Sequence, residues 1–190
     1  MIDRLETWQN NYLPIILGEL TPRIRKDMQN LPFPKELKKV ESTFIHGKIG
    51  SGKTIQAVFM MISEARICFV NRQYSKVEFI SVPELLLKFK DSYSSKEEDQ
   101  MTEKELVEYY STLPLLVLDD IGVERITDWS FQLLYIIINR RYENMKKTIF
   151  TSNFSLSELA EKFGDDRIPS RIQQMCKIVK SKNVDYRARK

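Results

Sequence analysis

The sequence feature that most constrains the fold is a phosphate-binding pattern, Gly-x-x-x-x-Gly-Lys-Thr. Its members are Gly47, Lys48, Ile49, Gly50, Ser51, Gly52, Lys53 and Thr54. The glycines let backbone N–H groups close around an anion, and the positive N-terminus of a following helix adds to the attraction. In such a loop the lysine reaches the β- and γ-phosphates, and the threonine hydroxyl binds Mg²⁺. The pattern therefore predicts a nucleotide-binding loop (P-loop) with a strand before it and a helix after it.

The residues on either side of this loop fit that requirement. Residues 42–46 form a short β-prone run, and the apolar residues between 55 and 62 have spacings that suit a buried helix. We expect further strands over residues 65–70 and 76–81. Pro83 then fits the first turn of a helix that continues to Phe89.

A second motif consists of an apolar run that ends in two acids. Residues 115–118 are Leu-Leu-Val-Leu, and Asp119 and Asp120 follow directly. A continuous apolar run predicts a central parallel strand that is buried on both faces. Ligands of such sheets bind at the carboxyl ends of the strands, so both acids should lie near the phosphate loop. Asp119 is predicted to hold Mg²⁺ together with Thr54, and Asp120 to orient or activate the attacking water.

A polar residue is expected to follow the next strand at the same edge. Residues 148–153 predict this strand, and Asn153 at its end is placed to hold the lytic water or to sense the γ-phosphate. A helix capped by Asp128 is predicted to precede it. The spacing of Ser155 and Glu158 is typical of a capping box and predicts a short helix after the strand.

The N-terminal part of the chain predicts a separate helical element. We expect residues 1–34 to be a short helical appendage and residues 35–190 to be the main domain, because two prolines break the pattern at residues 31–34. Trp8, Tyr12 and Leu13 lie on the apolar side of this appendage. That side either packs on the main domain or docks a partner.

A basic segment with an aromatic residue follows Pro83. It contains Lys88, Lys90, Tyr93 and Lys96, and residues 91–105 are expected to form an exposed loop. This composition is typical of a contact with single-stranded DNA, and a solvated helix face is the alternative. The basic end of the chain from Arg167 onward leaves the same two alternatives open, phosphate binding or a solvated charged end.

Composition excludes several classes of protein. No segment approaches the roughly 20 apolar residues that cross a membrane, and charged residues at positions 3–6 argue against a secretory signal. Cys68, Cys176 and the single His46 do not form a zinc-ligand pattern. We therefore expect a cytoplasmic protein with no membrane partner.

The order and spacing of the motifs resemble those of the AAA+ ATPases, and within them the helicase-loader group typified by DnaC and by the transposition ATPase IstB. The segments that carry the resemblance are residues 47–54, 115–122, 139–142, 151–153, 166–172 and 185–187. The resemblance implies an α/β P-loop NTPase fold of AAA+ type. This fold is a three-layer sandwich with a mostly parallel central sheet, here without a C-terminal helical lid.

The resemblance also implies roles for individual residues. Asn153 corresponds to the sensor-1 residue, and Arg171, within Ser-Arg-Ile, corresponds to the arginine finger that enters a neighbouring subunit's site. Arg167 is the nearest competitor for that role. Most AAA+ enzymes have Glu at the position of Asp120. The stretch that contains Lys88, Lys90 and Lys96 matches the place where loaders and initiators carry pore-lining helices that bind DNA.

The function implied is that of an ATP-dependent helicase loader acting in the initiation of DNA replication. Its cofactors would be ATP and Mg²⁺, and its hydrolysis would be weak and dependent on assembly. Its partners would be a replicative helicase, single-stranded DNA, and copies of itself or a related AAA+ subunit. Two alternatives remain open: an IstB-like ATPase that delivers a transposase to target DNA, and an ATP-gated adaptor with little turnover.

Overall fold

The computed structural model describes residues 6–29, 39–73, 76–94 and 101–182 and contains a five-stranded sheet within these ranges. The strands are β1 (Thr43–His46), β2 (Val77–Ser81), β3 (Leu115–Asp119), β4 (Lys147–Ser152) and β5 (Lys177–Lys180). Their order is β2-β3-β4-β1-β5, and every pair is parallel. β1 and β3 are adjacent to β4 on opposite sides, so the carboxyl ends of all three strands meet at one edge.

Helices connect the strands and cover both faces of the sheet. A π-helical turn (Trp8–Tyr12) leads into the first helix. The α-helices are α1 (Leu13–Gly18), α2 (Pro22–Gln29), α3 (Lys53–Val70), α4 (Val82–Ser94), α5 (Glu103–Thr112), α6 (Asp128–Glu143), α7 (Leu156–Phe163) and α8 (Arg167–Met175).

The alternation of side chains along β3 divides the core into two layers. Leu115 and Val117 pack in the cluster that contains α3 and the N-terminal helices, whereas Leu116 and Leu118 pack in the cluster that contains α4 to α8. All four side chains are fully buried. The predicted three-layer α/β sandwich is therefore confirmed, and its sheet is entirely parallel.

The N-terminal helices pack against α3. Trp8 is only 1% exposed, and the guanidinium of Arg66 lies 5.9 Å from the centre of its ring. Tyr12 is 48% exposed and packs its ring 4.5 Å from that of Phe69. Trp8 is therefore a packing residue and not a docking residue. The predicted boundary at residue 34 lies outside the described residues.

The strand predicted over residues 65–70 is wrong, because α3 continues to Val70. Ala57, Met61, Ala65 and Cys68 are all buried, at spacings of four, four and three residues. This spacing keeps one helix face on the sheet through the whole segment. A local run of apolar residues gave no indication that the preceding helix would extend so far.

The predicted loop over residues 91–105 is wrong at both ends. α4 extends to Ser94, and α5 begins at Glu103. Thr102 starts α5 with a capping box, in which its hydroxyl accepts from the N–H of Glu105 and the carboxylate of Glu105 accepts from its N–H. Residues 95–100 lie outside the described ranges.

Two predicted helix starts can be compared with the caps observed. Ser155 and Glu158 form the predicted capping box before α7. At the start of α6 the cap is Thr127 and not Asp128, since the hydroxyl of Thr127 accepts from the N–H of Ser130.

Within the described residues, no helix combines the length and the apolar character that crossing a membrane requires.

Candidate active site

The phosphate loop connects β1 to α3, as the sequence predicts. Gly52 caps the helix in the left-handed region, with φ of +82°, which glycine adopts without steric cost. Lys53 is 5% exposed, and its Nζ donates to the carbonyls of Gly47 and Lys48 at 3.0 Å. The same Nζ donates to Oδ1 of Asn153 at 2.8 Å. The loop thus brings its lysine against the residue that ends β4.

The two predicted magnesium ligands lie side by side. The hydroxyl of Thr54 donates to Oδ2 of Asp119 at 3.1 Å. A hydroxyl and a carboxylate are hard oxygen donors of the kind that Mg²⁺ prefers, so the residues present fit this ion. Burial raises the pKa of Asp119 to about 6, and hydrogen bonds from Thr151 and Thr54 partly oppose that rise.

Asp120 follows in a backbone conformation that is uncommon for residues other than glycine. Its φ is +59°, in the left-handed region, which costs a non-glycine residue on the order of 1–3 kcal/mol. Its N–H donates to Oγ1 of Thr151 at 2.9 Å, and the N–H of Ile121 donates to the carbonyl of Thr151 at 2.9 Å. Its carboxylate accepts no hydrogen bond from the described residues. The turn therefore leaves this carboxylate available at the site.

Thr151 and Glu124 support the site and were missed by sequence reasoning. The hydroxyl of Thr151 donates to Oδ1 of Asp119 at 2.6 Å, so Thr151 connects the two neighbouring acids. The carboxylate of Glu124 accepts the N–H of Gly122 and holds the turn that follows Asp120. A signal for Thr151 was present, because it precedes Asn153 by two residues in a polar strand end.

A contact between Ser181, which directly follows β5, and the phosphate loop was also missed. The N–H of Ser181 donates to the carbonyl of His46 at 2.8 Å, and its hydroxyl donates to that of Ser51 at 2.5 Å. A Cβ added at Gly47 would lie 2.5 Å from Oγ of Ser181, and its φ of +146° is one that other residues rarely adopt, so both features favour glycine there. Sequence reasoning did not predict β5, and it therefore gave no reason to consider Ser181.

The two candidate arginines lie on α8 and not at the phosphate loop. Arg167 forms a salt bridge with Asp165 at 2.8 Å. Nε of Arg171 donates to Oδ1 of Asn139 at 2.8 Å, and its guanidinium lies 4.9 Å from the centre of the Tyr142 ring. Within the described residues, no hydrogen bond joins either arginine to the loop. One chain thus brings together Lys53, Thr54, Asp119, Asp120 and Asn153, but not Arg171.

Two of the predicted DNA-binding residues, Lys88 and Lys90, are exposed on α4. Nζ of Lys88 donates to the hydroxyl of Tyr110 at 3.3 Å, and Nζ of Lys90 lies 5.9 Å from the centre of the Trp129 ring. A spacing of two residues puts these lysines on opposite flanks of the helix, with Leu87, which is 56% exposed, between them. Lys96 and the side chain of Tyr93 lie outside the described part of the structure.

The parallel sheet, the phosphate loop after β1 and the acids after β3 define a P-loop ATPase of the AAA+ type. A family model described as IstB-like ATP binding protein matches residues 17–190, and the chain belongs to this family. The replicative helicase loader DnaI of Bacillus subtilis (strain 168) is 33% identical over 129 residues. That match covers 67% of this chain and 38% of DnaI.

Solved structures agree with this assignment. The crystal structure of the DnaC helicase loader matches with a TM-score of 0.62 and 26% identity, covering 84% of this chain and 86% of that chain. A structure of DnaI matches with a TM-score of 0.58 and 22% identity, covering 90% and 92% of the two chains, which supports the fold. The chain spans less than half the length of the curated relatives it matches.

Proposed function

We propose that this chain is an ATP-dependent helicase loader that acts in the initiation of DNA replication. The observation that carries the proposal is the 33% identity to a replicative helicase loader over 129 residues. The similarity to the DnaC helicase loader over 84% of the chain supports it further. The proposal includes a cytoplasmic location and a replicative helicase as the partner.

The residues of one chain would perform most of the nucleotide chemistry. Lys53 and the loop N–H groups would bind the phosphates, and Thr54 and Asp119 would hold Mg²⁺. A bound Mg²⁺ would neutralise charge on the phosphate oxygens. Asp120 would orient the attacking water, and Asn153, beside Lys53, would sense the γ-phosphate. Because Asp120 is one methylene shorter than Glu, the proposed hydrolysis is slow.

Arg171 is the better candidate for an arginine finger that acts on a neighbouring subunit. Arg167 has its charge balanced by Asp165, through Nε and a terminal nitrogen together. Arg171 is half-buried, and within the described residues its one hydrogen-bond acceptor is the neutral Asn139. Its terminal nitrogens have no hydrogen-bond partner among the described residues. Because no anion among the described residues pairs with this guanidinium, we propose an anion from outside the chain, the γ-phosphate held by a second copy or a related subunit.

Single-stranded DNA is the proposed ligand of the assembled subunits. Within the described residues, Lys88 and Lys90 form no ion pair, so both charges are available to phosphates. A solved DnaA structure bound to single-stranded DNA has the same fold, with 21% identity and a TM-score of 0.60. The fold alone does not carry DNA binding, and the two lysines are the feature that supports it.

The DNA contact can be tested with the double variant Lys88→Ala/Lys90→Ala. We expect weaker binding of fluorescent oligothymidine and a salt slope that is smaller by about 1.4, since each single-strand phosphate contact contributes roughly 0.7. The matched control is Lys104→Ala, an exposed lysine on α5. An unchanged affinity and slope in the double variant would remove α4 from the DNA contact.

Delivery of a transposase is the second candidate function, because the matching family model is the IstB-like one. Co-elution separates the two candidates. The chain with ATP and Mg²⁺ is applied to a size-exclusion column with the replicative helicase hexamer of the source organism, and separately with an IS21-type transposase. Co-elution with the helicase alone supports the loader. Co-elution with the transposase alone would overturn it.

An ATP-gated adaptor is distinguished by turnover. Steady-state phosphate release is measured with saturating ATP, with and without single-stranded DNA. The loader proposal expects slow release that depends on protein concentration. Tight nucleotide binding with no release above that of Lys53→Ala would favour the adaptor.

A further inference from the structure

A stripe of side chains on α6 receives the arginines of α8. Phe131 and Tyr135 lie under the guanidinium of Arg167, at 5.2 and 4.9 Å from their ring centres. One helical turn further on, Asn139 bonds to Nε of Arg171. The two arginines are four residues apart on α8, and they meet positions four residues apart on α6. The packing of these helices therefore determines where each guanidinium lies.

The amide of Asn139 is itself held in one orientation. Its Nδ2 donates to Oε1 of Glu143 at 2.8 Å, one turn further along α6. This bond turns Oδ1 toward Arg171, where it accepts from Nε at 2.8 Å. Of the five guanidinium N–H groups, this contact uses the one nearest the side-chain stem. Among the described residues, the four terminal N–H groups have no acceptor and are left for another one.

The ring of Tyr142 completes the support for Arg171. The guanidinium lies 4.9 Å from its centre, and the Tyr142 hydroxyl donates to Oε1 of Gln174 at 2.7 Å. The Tyr142 ring is attached to the backbone at one end and held through its hydroxyl at the other. It gives the guanidinium an aromatic face to stack on but no negative charge. Both supports of Arg171 are therefore neutral.

Asn139 differs from the partner of Arg167 in one chemical respect, its charge. Asp165 gives Arg167 a carboxylate in a two-point contact, which satisfies the geometry of the guanidinium and its charge. Asn139 gives Arg171 an acceptor oxygen in a good position but no negative charge. We propose that Asn139 is a positioning residue, which holds Arg171 extended toward a neighbouring subunit's nucleotide without pairing its positive charge directly with a carboxylate. This inference rests on the proposed role of Arg171 as a finger acting between subunits.

The decisive variant is Asn139→Asp, which keeps the shape of the side chain and its acceptor oxygen. A carboxylate there binds Arg171 more strongly than the amide does, so the contact between α6 and α8 is retained. It also neutralises the charge that the γ-phosphate needs. We expect kcat for ATP hydrolysis to fall at least tenfold, the dissociation constant for ATP to stay within about twofold, and the melting temperature not to fall.

Two further variants isolate the effect of charge on Arg171. Asn139→Asp/Glu143→Gln removes repulsion between the two carboxylates and should show the same loss of kcat. Asn144→Asp adds one negative charge at the exposed end of the same helix, where the side-chain amide of Asn144 donates to the carbonyl of Arg140. We expect its turnover to stay within about twofold of the wild type.

Arg171→Ala in the same assay separates the two proposals. If Arg171→Ala loses turnover while Asn139→Asp keeps it, the result supports Arg171 as the arginine finger and contradicts the role proposed for Asn139. If Arg171→Ala keeps full turnover, both the finger and the inference built on it are overturned. A fall in kcat for Asn139→Asp that is matched by Asn144→Asp would also overturn the inference, because the effect would then not pass through Arg171.

Discussion

Individual hydroxyl groups align the two acids of the active site. Thr151 donates to the carboxylate of Asp119 and accepts from the N–H of Asp120, although it binds neither nucleotide nor metal in the proposed chemistry. Thr54 approaches the same carboxylate from the other oxygen. The two hydroxyl groups thus orient the carboxylate of Asp119 from both sides.

Thr151→Val tests this arrangement at the level of one atom. Valine keeps the shape of threonine but cannot donate to Asp119, and the N–H of Asp120 loses its acceptor. We expect a loss of about 1–2 kcal/mol in the free energy of unfolding. We also expect kcat to fall roughly tenfold while ATP binding measured without Mg²⁺ is unchanged. Steady-state phosphate release and urea unfolding check the two effects, and full turnover in this variant would show that Thr151 is dispensable.

The connections between elements depend on one buried arginine at the end of α6. Arg141 is fully buried and donates to the carbonyls of Tyr110, Leu113 and Lys147 and to the hydroxyl of Thr148. Burial lowers the pKa of Arg141 to about 9. This cation joins the end of α5, the end of α6 and the start of β4 without an acidic partner among the described residues.

Arg141→Met should destabilise the protein by about 3–5 kcal/mol, because it leaves several buried carbonyls without donors. The adjacent Arg140→Ala is the matched control. Arg140 is exposed and paired with the exposed Glu108, so its loss should cost less than about 1 kcal/mol. Urea unfolding of both variants measures the difference, and equal stabilities would contradict the role of Arg141.

Elements with a strong local pattern could be predicted, and those determined by distant contacts could not. The apolar run of β3 and the glycines of the phosphate loop correctly predict the strand, the loop and the sheet edge at which they meet. The predicted end of α3 is too early, because the sheet beneath residues 65–70 determines whether they form helix or strand. β5 is short and exposed, and its pairing with β1 is not visible in its own sequence. Polar contacts between elements, such as Ser181 with Ser51, had no local signal.

In the proposed assembly, one chain supplies only part of each nucleotide site. The phosphate loop, Asp119, Asp120 and Asn153 come together at one sheet edge, while Arg171 lies on α8 among residues of α6. In the proposed assembly, ATP bound by one subunit is completed by the Arg171 of the next. Hydrolysis would then occur only where two subunits meet. The rate of ATP hydrolysis would therefore depend on assembly of the subunits on DNA.

The most direct test mixes two variants that are each inactive. Lys53→Ala should lose ATP binding but keep Arg171, and Arg171→Ala should bind ATP but lack the finger. Steady-state phosphate release is measured at saturating ATP and Mg²⁺ while one variant is titrated into the other at constant total protein. The account predicts that turnover appears in the mixture, where a Lys53→Ala subunit supplies its arginine to an Arg171→Ala neighbour. A mixture no more active than the sum of its components, or full turnover by Arg171→Ala alone, would contradict it.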